Sequence, residues 1–122
     1  MGTVNKDAAS YVNRLGKYLK KKLDGAFKIS FGPNHCVVYF KMLYELPDDR
    51  ESFNEMVFSV DITSYQNKLR INLTEETVME KTIGQLIIKP EYVSNLEYCK
   101  DKLMETLIKA INKEFEGYDF VY

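Results

Sequence analysis

The stretch CVVYFKMLYEL, residues 36–46, alternates with a period of two. Cys36, Val38, Phe40, Met42, Tyr44 and Leu46 form one set. Val37, Tyr39, Lys41, Leu43 and Glu45 form the other. Successive side chains of an extended strand point to opposite faces of a sheet, so this phase predicts a long strand with two distinct sides. The first set is apolar throughout and belongs to a core. The second would face water in an ordinary antiparallel sheet, yet it carries Val37, Tyr39 and Leu43. Any fold for this chain has to give both sides of the strand something to do.

The neighbouring segments read as further strands. FKISF (27–31) places Phe27, Ile29 and Phe31 in one phase, and the GPN turn leads from it into residue 36. Pro33 presets φ there, and Gly32 and Asn34 accept unusual angles. After the polar turn PDDRE, MVFSVDI (56–62) puts Met56, Phe58, Val60 and Ile62 together. TSYQN turns again, and KLRINLT (68–74) points Leu69, Ile71 and Leu73 inward. A fifth strand falls within EKTIGQLIIK (80–89), where Gly84 marks a bulge.

Helical periods flank these strands. Val12, Leu15, Leu19 and Leu23 define an amphipathic N-terminal helix, expected to start at an Asn5 cap with Asp7 in its first turn and to end at Gly25. The C-terminal helix has Pro90 in its first turn, a capping box at Ser94–Glu97, and a stripe of Leu96, Cys99, Leu103, Leu107, Ile111 and Phe115. Glu105 and Lys109 form an i,i+4 pair, and Gly117 ends the helix. The order α-β-β-β-β-β-α has short turns between strands, which predicts an antiparallel meander of about five strands. Both helices need a surface for their stripes. The expected fold is therefore a two-layer α+β domain, residues 1–122, with the N- and C-terminal helices packed on one face. The aromatic tail YDFVY is expected to dock. The layout resembles that of dimerising domains of small chaperones, RWD-like assembly subunits and signal-recognition-particle Alu proteins, a likeness of arrangement without shared signature residues.

Seventeen basic residues against eighteen acidic ones leave a net charge of −1, so overall charge makes no case for nucleic acid or membrane. The two cysteines, Cys36 and Cys99, lack the spacing of a disulfide framework or a zinc motif. Isolated thiols and the lack of a leader or long apolar run point to the cytoplasm, with the nucleus as the alternative. No phosphate-binding glycine loop and no nucleophile elbow occurs in the sequence.

His35 and Cys36 invite a nucleophile–base reading. Strand geometry argues against it, because adjacent side chains leave on opposite sides while a dyad needs them on one. His35 reads as a turn residue and Cys36 as a small core group. Asp48, Asp49 and Glu51 read as a solvated hairpin tip without calcium-loop spacing. Asp61 and Glu55 are acids that the fold could bring beside others. Arg14, Lys17, Lys20, Lys21 and Lys22, with Lys28 following, form a basic set, read either as a solvated face complementing the helix C-terminus or as a contact for an acidic partner.

The second face of the sheet carries the functional expectation. Val37, Tyr39, Leu43 and Val57 would form its apolar centre, with Phe53 near the start of the third strand. Lys41, Glu45 and Arg70 would lie at the rim, and Lys28, Ser30, Lys68 and Asn72 at the margins. Such a mix of apolar centre and polar rim is the make-up of an interaction surface. The expected role is a non-catalytic module that binds another protein or its own copy, as a small adaptor, chaperone-like protein or complex subunit, without a cofactor. The alternative is an RNA-binding module, with Lys28, Lys41, Lys68 and Arg70 on phosphates and Tyr39 as a stacking platform. A small enzyme built on converging carboxylates is the third reading.

Overall fold

The computed structural model describes residues 2–46 and 49–120, with side chains described at 9–45, 54–118 and 120. Asp48 and the side chains of Asp49, Glu51 and Phe53 lie outside the described set, so the acidic tip is not described. The chain runs α1 (Gly2–Lys22), β1 (Ala26–Phe31), β2 (His35–Leu46), β3 (Asp49–Tyr65), β4 (Lys68–Glu75), β5 (Lys81–Ile88), α2 (Pro90–Val93), α3 (Leu96–Glu114) and β6 (Asp119–Phe120). Strands β1 to β5 form one open antiparallel sheet in chain order. This is the α-β5-α layout that the sequence periods predict.

Alternation decides which side of each strand is buried. Cys36, Val38 and Phe40 of β2, Met56, Phe58, Val60 and Ile62 of β3, and Leu69, Ile71 and Leu73 of β4 all lie in the core. Their registers match, with Val38 opposite Val60 and Val60 opposite Leu73. The Phe40 and Phe58 rings stack at 5.1 Å between centroids. Val12, Leu15 and Leu19 of α1 and Cys99, Leu103, Leu107 and Ile111 of α3 cover this face. Each fully buried Leu, Ile, Val, Phe or Met side chain contributes roughly 1.5–3 kcal/mol, so this layer dominates the folding energy. Among the described residues no helix is long and apolar enough to cross a membrane.

Both helices approach the sheet at positions where a side chain is missing. A Cβ on Gly16 of α1 would lie 2.1 Å from Cys36 Sγ. On β5, a Cβ on Gly84 would lie 2.8 Å from Ala110 Cβ of α3. The bulge expected at Gly84 is present. Leu73 pairs with Gly84 but Thr74 pairs with Thr82, which leaves Ile83 as the extra residue. It keeps Gly84 opposite core residue Leu73, turned toward α3.

Three local expectations need correction. Helix α1 begins at Gly2, so Asn5 lies within it and does not cap it. Phe27 does not share a face with Ile29. Ala26 pairs with Phe40 and Lys28 with Tyr39, so a bulge loops Phe27 out and turns its ring to Tyr39 on the other side, at 6.3 Å. The C-terminal helix is divided, and its long part is capped by Asn95, whose Oδ1 accepts from Tyr98 N at 3.1 Å. Ser94 closes α2 instead. Further on, the tail docks, as β6 pairs with Tyr44 and Glu45 of β2 beyond the end of β1.

The β3–β4 turn has Gln66 at φ 51° and Asn67 at φ 65°, the two positive angles of a type I′ hairpin. At the other end of β4, Glu75 is fully buried. Its carboxylate accepts from the amides of Thr77, Val78, Met79 and Glu80 and from Thr77 Oγ1, so the β4–β5 loop wraps around one charge.

Two outcomes follow from this packing. Gly84→Ala is expected to destabilise by about 1–3 kcal/mol, as overpacking does. Adding Ala110→Gly should recover part of that loss, less about 1 kcal/mol for glycine in a helix; a denaturant double-mutant cycle measures both. Glu75→Gln places an amide NH2 against N–H donors and should cost on the order of 2–3 kcal/mol at neutral pH. Burial raises the Glu75 pKa, but the backbone hydrogen bonds from Met79, Val78 and Thr77 outweigh it and hold the group below its ordinary 4.5. The contribution is thus complete above 4.5 and is lost as pH falls through the lower folded value. Urea titrations across acid pH should show the gap between wild type and Glu75→Gln closing as pH drops.

Candidate functional site

The face of the sheet opposite the helices is set by the same registers. Lys28 pairs with Tyr39, Tyr39 with Ser59, and Ser59 with Thr74. Ser30, Val37, Asp61 and Asn72 make the next row, and Lys41–Val57 and Leu43–Glu55 follow on the other side. Val37, Tyr39, Lys41, Leu43 and Val57 are therefore brought together on β2 and β3. Arg70 lies apart on β4, between Thr63 and Ile87, with its guanidinium 5.2 Å from the Tyr65 ring centroid.

The centre of this patch is aromatic and cationic. Lys28 Nζ lies 5.4 Å from the Tyr39 centroid, and Lys41 Nζ lies 5.1 Å from that of Phe27. Cation–π pairs at exposed sites are worth about 0.5–1 kcal/mol, enough to favour these rotamers. Leu43 is 42 % exposed and Phe27 49 %, large for apolar groups that a monomer could turn inward. Ile87 and Tyr65 extend the apolar character toward β4 and β5, at 59 % and 51 % exposure.

Around the Tyr39 row the same face divides by charge, while Arg70 and Lys68 on β4 and Glu45 on β2 stand at its two ends. Lys28 and Lys41 stand on β1 and β2. Glu55 and Asp61 stand on β3, and Glu76 continues past β4, where its amide donates to Val57 O. Ser59 Oγ donates to Glu76 Oε1 at 2.8 Å, which fixes that carboxylate over the middle of the sheet. Thr63 Oγ1 holds Asp61 in the same way at 3.0 Å.

The C-terminal tail does not cover this surface within the described residues. Strand β6 lies in the plane of the sheet beside β2, and Phe120 turns to the core side, against Tyr44, Phe58, Phe115 and Tyr118.

The remaining candidates separate cleanly. Arg14, Lys17 and Lys21 are exposed on α1, and Lys20 is half-buried. Arg14 lies 5.2 Å from the Tyr11 centroid. Lys28 is on the opposite side of the sheet from these helix residues and does not join their patch. His35 and Cys36 also point to opposite sides, paired with Thr63 and Ile62. The His35 ring packs on Gly32, where a Cβ would meet it at 2.3 Å. Cys36 is fully buried, and burial, with the Asp61 charge adding to it, pushes its thiol up to about 11. Burial also raises the Cys99 thiol, which donates to Tyr92 O.

Two features escaped the sequence reading. Glu75 sits in the inward phase of β4, and that phase signalled its burial. Its carboxylate is saturated by loop donors, which makes it a structural anchor and leaves it poorly placed for proton transfer. The second feature is an apolar pocket of about 250 Å³ in the helical layer. Leu23, Phe40, Met42, Met104, Leu107, Ile108 and Ile111 line it, with Lys22, Asp24 and Lys41 also contributing. No linear spacing signals it, because its walls come from three distant segments. Glu75 is not among the lining residues. Among the described residues no three His, Cys, Asp or Glu side chains gather as a metal site would require.

Thiol chemistry checks the separation of His35 from Cys36. Both cysteines should resist a disulfide reagent in native buffer and react fully in denaturant, and a fast native phase would show a reactive thiolate. Comparison of the chain with protein-family models, with curated proteins and with solved structures finds no match.

Proposed function

We propose that the chain is a non-catalytic protein-interaction module, a small adaptor or assembly subunit, that engages its partner through the open face of the sheet. One observation carries this reading. Strand β2 has apolar residues in both phases, and Val37, Tyr39, Leu43 and, across on β3, Val57 stand on the side that no described helix covers. Apolar centre, aromatic anchors and a charged rim are the parts from which protein interfaces are made.

The RNA reading draws on the same Tyr39 and its lysines. Glu55, Asp61 and Glu76 lie one strand away on the same face and would repel a phosphate backbone, so a protein partner fits the face better. The carboxylate-enzyme reading has less support. The strongly held acid, Glu75, is enclosed by its own loop and lies apart from the pocket.

Site-specific photo-crosslinking tests the proposal. A photoreactive residue at Leu43 should give a discrete protein adduct in cells, and one at Lys113 on α3 should not. Adding Tyr39→Asp to the Leu43 probe should remove the adduct while the thermal midpoint stays within a few degrees. Equal labelling from both positions, or none from Leu43, contradicts the reading.

A further inference from the structure

We infer that the partner is a second copy of this chain, bound face to face in a two-fold dimer. The inference rests on the reading of the open face as an interaction surface and names its occupant. The argument is the way charge is divided across that face. Lys28 and Lys41 stand on β1 and β2, and Glu55, Asp61 and Glu76 stand on β3 and beside it, with Val37, Tyr39, Leu43 and Val57 between them. A central patch that is positive on one side and negative on the other, with Arg70, Lys68 and Glu45 beyond its ends, is complementary to itself after a two-fold rotation.

The register fixes how the halves would meet. Take a two-fold axis in the interface, running along the strands between β2 and β3. It lays β2 of one copy over β3 of the other, and β1 over β4, with rows kept level. Lys41 then lies over Val57 of the second copy, flanked by that copy's Glu55 and Glu76. Lys28 lies over Thr74 of the second copy, one outward position from its Glu76. Tyr39 covers Ser59, and Val37 approaches Asp61. Each contact occurs twice. Sheets stacked in this way stand about 10 Å apart, which suits side chains of these lengths.

The area is adequate. The axis overlays four strands, β1 to β4, and at about 4.8 Å spacing, with nine residues of β2 at about 3.4 Å each, they give a face of roughly 19 Å by 30 Å. That is on the order of 600 Å² per partner, or about 1,200 Å² in total, the lower end of the range for specific interfaces.

Complementary charge reversal tests the dimer by sedimentation velocity. Wild type should sediment as a dimer of 14.3 kDa chains. Lys28→Glu/Lys41→Glu makes both halves acidic, and Glu55→Lys/Glu76→Lys makes both basic. Each variant alone should be monomeric, with an unchanged circular dichroism spectrum, and an equimolar mixture should return to the dimer mass. Leu43→Glu, which sets a carboxylate over Glu55 of the second copy, should also give a monomer. A wild type that stays monomeric at 0.1 mM, reversed variants that remain dimers alone, or a mixture that stays monomeric each overturns the inference. A monomeric wild type whose Leu43 probe still captures a different protein overturns self-association and leaves the interaction reading standing.

Discussion

The phase of β2 is the constraint on which the rest of this structure depends. The strand is buried on one side and apolar on the other, so its pairing must be right to a single residue. A slip of one position would send Cys36, Val38 and Phe40 to the open face and bring Lys41 and Glu45 beneath the helices. Burying those charges would cost far more than the few kcal/mol by which a domain is stable. The hairpin with β3 holds the phase from Cys36–Ile62 to Tyr44–Asn54, and β4 and β5 inherit it. Fold and candidate surface are thus one decision, since the register that builds the core also assembles the outer face.

The helices reinforce that decision through close approach. Gly16 admits Cys36 against α1, and Gly84 admits Ala110 of α3. The two contacts lie on β2 and β5, far apart in the sheet, and together they clamp the helical layer. Glu75 performs a different task at the foot of β4. Its buried charge would be costly without partners, and the amides of 77–80 supply them. The loop is ordered by that carboxylate, and the ordering brings Glu76 out over Ser59. A core interaction therefore helps place one of the acids on the open face.

Much of this was legible in the sequence because it rests on period. The alternation of 36–46, 56–62 and 68–74 identified the strands and their inward residues, and the stripe from Leu96 to Phe115 identified the last helix. Features that depend on pairing were not legible. The bulge that turns Phe27 toward Tyr39 arises from how β1 aligns with β2, and no residue in FKISF announces it. Asn95 and Ser94 are both good caps, and the short turn α2 decided between them. The tail was expected to dock, but that it would dock as a strand depended on β1 ending before Tyr44. The division of charge between β1–β2 and β3 becomes visible once Lys28, Tyr39, Ser59 and Thr74 are known to share a row. The pocket between α1, β2 and α3 needs all three elements in place.

The central claim is that neighbouring residues of β2 serve two layers, one of them an interface. A methyl NMR dilution series reads this directly, because Val37 and Val38 are adjacent and chemically identical. On dilution, the methyls of Val37, Leu43 and Val57 should shift together along one binding isotherm, while those of Val38, Val60 and Leu107 stay fixed. Shifts confined to Leu107 and Ile108 would place association on the helical layer. That result, or an invariant Val37, would contradict self-association through the open face.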